Sequence, residues 1–124
     1  MNGKKALLDS NIIIYLSKQE LSPDFIESFS ELFISVVTYM EIFGYKFKDI
    51  KEERYIKELL ELFGVIYIDK AIADTVIKIR KNKKIKLPDA IIAGTALREN
   101  IHLITRNISD FKNTGVKVID PFKY

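Results

Sequence analysis

The sequence predicts an α/β protein, a three-layer α/β/α sandwich built on a parallel, five-stranded sheet. Short aliphatic runs alternate along the chain with longer segments of helical period. Strands that are almost continuously aliphatic belong to parallel sheets covered on both faces. Right-handed crossovers then lay the intervening helices on the two sides of that sheet. The 124 residues are read as one domain, 1–124, large enough to bury about two-thirds of the unfolded surface around one core.

Residues 5–8 read as the first strand and residues 11–18 as the helix behind it. Residues 23–31 read as a short second helix, with Ser22 at its N-cap and Pro23 in its first turn, where a missing N–H costs nothing. The β-rich residues 33–37 follow as the second strand, then residues 38–47 as a helix. Within residues 51–63, Ile56, Leu59, Leu60 and Phe63 recur at helical spacing. Gly64 is placed to end that helix before a third strand at 65–68. Asp69 stands where it caps a helix running to about Asn82. A helix at 88–100, a fourth strand at 102–105 and a fifth at 116–119 complete the pattern.

Hydrophobic residues make up 48% of the chain, a level that belongs to folded proteins. No apolar run reaches the roughly 18 residues of a membrane span. Asp9 interrupts the first apolar run too early for a secretory leader, so the expected location is the cytosol with no membrane attachment. Cysteine is absent, which excludes disulfides and thiolate-held zinc. The net charge of +3 comes from 20 basic and 17 acidic side chains. If several acids gather in one site, the remaining surface is distinctly basic and suits a polyanionic substrate.

Ligands of parallel sheets bind beyond the carboxyl ends of the strands, and four acids fall at or near that edge. Asp9 follows the first strand in Leu7-Leu8-Asp9-Ser10-Asn11, where an N-cap role would also explain it. Glu41 stands three residues after Thr38, the spacing of a capping box. Asp89 follows Pro88 at a helix start, where an acid gains about 0.3–1 kcal/mol from the helix dipole. Asp110 lies in Thr105-Arg106-Asn107-Ile108-Ser109-Asp110-Phe111, and an ordinary turn would account for it. Each acid has a local explanation, but their shared location has none. Four carboxylates at one edge repel one another unless a cation neutralises them. An all-oxygen set suits Mg²⁺ or Mn²⁺ more than zinc. Asp69 and Asp120 also follow strands, but with the first strand central they fall at the sheet edges.

In this order the residues resemble PIN domains. Asp9 resembles the first acid of that family, Thr38–Glu41 its second-strand motif, and Leu87-Pro88-Asp89-Ala90-Ile91-Ile92-Ala93 its central-helix motif. The segment from Thr105 to Phe111 is similar to its closing loop. The resemblance spans nearly the whole chain. It implies a Mg²⁺- or Mn²⁺-dependent ribonuclease, commonly a homodimer, in which metal-activated water hydrolyses RNA phosphodiesters. For the VapC branch of toxins it also implies inhibition by a VapB-type antitoxin. Carried onto this chain, the resemblance makes Asp9, Glu41, Asp89 and Asp110 the metal-binding and catalytic acids. Ser10, Thr38, Thr105 and Asn107 would support them or orient substrate. The same fold would also serve RNA processing without an antitoxin, or binding of RNA or protein without cleavage.

Residues 78–86 form the densest basic run. A solvated helix end accounts for it; the functional reading makes Lys81, Lys83, Lys84 and Lys86, with Arg106, contacts for RNA phosphates. His102 falls in an apolar strand and reads as a structural histidine. Tyr39, Phe43, Tyr45 and Phe47 are expected in the core, with a dimer seam or an antitoxin groove as the other use of such aromatics.

Overall fold

The computed structural model describes residues 4–123; residues 1–3 and 124 lie outside it. The strands β1 (Lys5–Leu8), β2 (Glu31–Ser35), β3 (Gly64–Ile66), β4 (His102–Ile104) and β5 (Val118–Ile119) form one sheet, ordered β3-β2-β1-β4-β5. Every pairing in it is parallel. The order reverses at β1, so a crevice opens between the carboxyl ends of β1 and β4.

Strand β1 is central because Ala6, Leu7 and Leu8 can all be buried. Its side chains alternate between two apolar layers, as the pleat requires. Ala6 and Leu8 pack with Ile12, Ile13 and Leu16 of α1 (Ser10–Ser17) and with Ile56 and Leu60 of α4 (Ile50–Leu60). Leu7 packs on the other side with Ile92, Ala93 and Ala96 of α6 (Leu87–Glu99) and Ile79 of α5 (Lys70–Asn82). These are the three layers expected. Helices α5 and α6 lie very close together at Gly94, where an added Cβ would stand 2.7 Å from Val76 Cγ2.

The start of α2 (Pro23–Glu27) is as expected, with Ser22 as N-cap and proline in the first turn. It ends four residues early because Glu31 already pairs with Lys5 in the sheet. The larger correction concerns β2 and α3 (Val36–Phe43). The strand runs two residues earlier than residues 33–37, and the Ser35 hydroxyl accepts from Val37 N at 3.1 Å to cap the helix. There is therefore no Thr38–Glu41 capping box. Ser35 supplies the cap oxygen, Thr38 is a fully buried third helical residue, and Glu41 lies beyond the first turn. Helix α3 ends at Phe43 with Gly44 as C-cap. Gly64 does not stop α4, which ends at Leu60. Instead Gly64 opens β3, where a Cβ would meet the Phe33 ring at 2.8 Å.

The aromatics also differ from expectation. Phe47 packs partly buried against the core, whereas Tyr39, Phe43 and Tyr45 are exposed. Among the described residues no helix is long and apolar enough to cross a membrane.

Candidate active site

Asp9 leaves β1 directly into α1. Its backbone N–H extends the β1–β4 ladder by donating to Ile104 O at 3.2 Å. Its Oδ1 accepts from Ile12 N at 3.1 Å, so it is the helix cap as well. Its Oδ2 accepts from the buried Thr105 hydroxyl, which in turn accepts from Asn107 N at 3.0 Å. Asp9 as a whole is 5% exposed. Burial pushes its pKa above the ordinary 3.8; the bonds from Thr105 and Ile12 pull it down, and the charge of Asp89 pushes it up again. One carboxylate thus caps α1 through one oxygen and takes the Thr105 hydroxyl on the other.

Glu41 reaches the same neighbourhood from the exposed side of α3. Ser10 Oγ donates to Glu41 Oε1 at 2.7 Å and lies 3.3 Å from Thr38 Oγ1. The residue after Asp9 therefore ties α3 to the start of α1.

Asp89 sits in the first turn of α6, after the proline, where Lys86 is the N-cap and offers no side-chain cap bond. It is half-buried. Its pKa is raised, first by burial, then by the charge of Asp110; Lys86 opposes this and Glu41 adds to it. Asp110 is exposed in the 3₁₀ turn Ile108–Phe111, past β4. Asp89 and Asp110 line a cleft of about 550 Å³ with Arg80, Lys84, Ile85 and Lys86. By contrast, Asp69 at the β3 edge caps α5 through Ile72 N at 2.8 Å. Asp120, beyond the β5 edge strand, accepts from Phe122 N at 2.9 Å. Both stand outside the group, as the central position of β1 requires.

The donor set is all carboxylate, with a serine hydroxyl beside it, and suits a hard divalent cation. Among the described residues no three acids are gathered closely enough to hold an ion as they stand. Like charges explain this spacing, since approach raises the cost of ionisation. Asp9 is fixed by two partners, whereas the Glu41 and Asp110 side chains are exposed.

The predicted basic contacts divide. Lys84 and Lys86 line the cleft, and Arg80, which sequence reasoning missed, lines it one turn earlier in α5. Lys81 is exposed and does not line the cleft. Lys83 turns another way: its Nζ donates to the backbone carbonyls of Asp110, at 3.0 Å, and Lys112. Arg106 is stacked, with its guanidinium 4.3 Å from the Phe122 ring centroid and 5.5 Å from that of Tyr15. His102 is half-buried with a lowered pKa, first from burial and then from Lys4 and Lys117, as befits a structural histidine.

Acids at the crevice of a 3-2-1-4-5 parallel sheet define a class, and comparison with known proteins agrees: the PIN domain family matches residues 6–117. The chain belongs to the PIN-domain family. Within it, the chain is similar to Ribonuclease VapC1 of Methanocaldococcus jannaschii, with 32% identity covering 94% of this chain and 88% of that one. It is also similar to a chain of a toxin–antitoxin complex from Klebsiella pneumoniae, at 36% identity and TM-score 0.74, covering 94% of this chain and 97% of that one. A chain of VapBC-1 from nontypeable Haemophilus influenzae matches at 30% identity and TM-score 0.76, covering 95% and 98%. The chain is a PIN domain of the VapC type.

Proposed function

We propose that the chain is an endoribonuclease dependent on Mg²⁺ or Mn²⁺, the toxin of a VapBC-type pair, acting in the cytoplasm. One observation carries this reading. Asp9, Glu41, Asp89 and Asp110, drawn from four separate segments, come to one edge of the sheet, and two of them face a cleft with cations on its wall. The ribonuclease name of the Methanocaldococcus relative supports cleavage, and the Klebsiella and Haemophilus complexes support an antitoxin partner. The exposed Tyr39, Met40 and Phe43 of α3 suit a protein-covered surface, an antitoxin or a second copy in a homodimer.

A divalent ion held by the four acids would lower the pKa of bound water and offset charge at the phosphate. The residues of the chain do the rest. Thr105 and Ile12 N fix the Asp9 carboxylate in one orientation, and Ser10 steers Glu41. Asp89, half-buried on the wall of the cleft, is the carboxylate placed to accept a proton from the attacking water. Arg80, Lys84 and Lys86 draw the phosphate backbone into the cleft. Lys81 and Arg106 lie outside that wall and serve at most as peripheral RNA contacts.

Purified protein should cleave RNA with added Mg²⁺ or Mn²⁺ and stop when EDTA is added. Cleavage that survives exhaustive chelation would defeat the metal reading.

A further inference from the structure

We propose that Lys83 is a positioning residue, a clamp that holds the Asp110 loop against the end of α5 and serves the acids, not the RNA. The proposal rests on the metal-site reading above. The basic run at 78–86 holds five lysines that look alike in sequence. Lys84 and Lys86 line the cleft, but the Lys83 ammonium turns to the carbonyl oxygens of Asp110 and Lys112. An ammonium has three protons, and two of them are committed to the chain itself.

The loop has reason to recruit a cation. A 3₁₀ turn leaves its last carbonyl groups without partners inside the turn, and positive charge is favoured at that end. Asp110 N bonds to Asn107 O at 3.2 Å, and Lys112 N bonds to Ser109 O at 3.4 Å. Those bonds shape the loop locally. Phe111, 3% exposed, anchors it below, and Lys83 ties it from the side, on either flank of that ring.

The other end of the clamp is equally defined. Lys83 is the C-cap of α5, and its backbone N–H donates to Ile79 O at 3.0 Å. Helix α5 is pressed onto α6 at Gly94 and Val76, and α6 carries Asp89 in its first turn. One lysine therefore connects the helix pair bearing Asp89 to the loop bearing Asp110, and both carboxylates face the same cleft. Without it, Asp110 would hang from Phe111 and the loop's own bonds.

The test compares Lys83→Met, Lys83→Arg and Lys84→Met in the full chain. Three quantities are read: Mn²⁺ binding by calorimetry without RNA, hydrogen exchange of the amides at 110, 112 and 114, and the kinetics of RNA cleavage. Lys83→Met should weaken Mn²⁺ binding by roughly 10- to 100-fold, the usual cost of losing a partner behind a metal ligand. It should lower kcat, leave KM and its salt dependence unchanged, and speed exchange in the loop. Lys83→Arg, whose guanidinium can serve the same carbonyl groups, should restore all of these. Lys84→Met should raise KM and leave Mn²⁺ binding alone. A Lys83→Met protein with raised KM, a flatter salt dependence and intact Mn²⁺ binding would make Lys83 an RNA contact and overturn the clamp, as would one identical to the parent. If the parent itself binds no Mn²⁺, the metal reading fails separately. Exchange then decides the clamp: faster only in Lys83→Met upholds it, and unchanged loop amides overturn it.

Discussion

Thr105 and Asp9, 96 positions apart in sequence, meet where β4 and β1 end, and the threonine hydroxyl donates to Oδ2 of the aspartate. The same hydroxyl accepts from Asn107 N, so one oxygen both orients the buried acid and starts the loop that leads to Asp110. Replacing Thr105 by Val keeps the shape and removes the bond. Loss of a hydrogen bond to a buried charged group should cost about 1–3 kcal/mol at neutral pH, read by chemical denaturation. Thr105→Ser should keep most of it, because the hydroxyl is retained.

Asp9→Asn separates the cap from the site. Asparagine caps as well as aspartate, so α1 should survive, and the substitution removes a charge that burial and Asp89 both disfavour. Without metal, the melting temperature should rise or stay level. The sign with pH follows from the raised carboxyl. Below 3.8 the group is protonated folded or unfolded, and Asn has no advantage. As pH climbs through the raised folded value the parent loses stability, and the margin of Asp9→Asn should widen and then level off. Added Mn²⁺ should reverse the ranking, stabilising the parent by about 2.7 kcal/mol at a hundredfold excess over Kd and the variant hardly at all. Asp69→Asn, at a cap away from the site, should respond to Mn²⁺ like the parent.

Lys84→Ala and Lys86→Ala together should weaken RNA binding and flatten its salt dependence, by about 0.7 in slope for each phosphate of a single strand that is no longer neutralised. Lys81→Ala should leave the slope where it was. Equal effects at all three positions, measured by salt titration of binding, would mean that the whole run behaves as a diffuse positive surface.

Gly94→Ala should destabilise the fold by about 1–3 kcal/mol, the cost of overpacking, because the new methyl would strike Val76 Cγ2. Val76→Ala in the same chain should recover part of the loss, a coupling visible in a double-mutant cycle.

Much of the fold, and the placement of the candidate acids in it, is legible in the sequence because strands and the residues that end them are local features. Asp9, Asp69 and Asp120 stand where aliphatic runs end, and the parallel order with β1 central sorts them into a site and its edges. The β2–α3 junction misleads because Val36 and Val37 are β-branched and look like strand, while a single cap oxygen on Ser35 starts the helix at Val36. The exposed Tyr39 and Phe43 mislead because periodicity says which residues share a face, not what covers it. Lys83 is unreadable for a different reason: its partners lie 27 and 29 residues later, and nothing in a run of lysines marks the one that folds back.

The packing at Gly94 also bears on how the cleft is sized. Arg80 and Asp89, on opposite sides of the α5–α6 connection, ride on two helices whose separation is set by a missing methyl. The width of the cleft is then a packing quantity, tuned by side-chain volume at positions 76 and 94, neither of which lines it. A substitution at either position would therefore reshape the cleft without changing any residue on its wall.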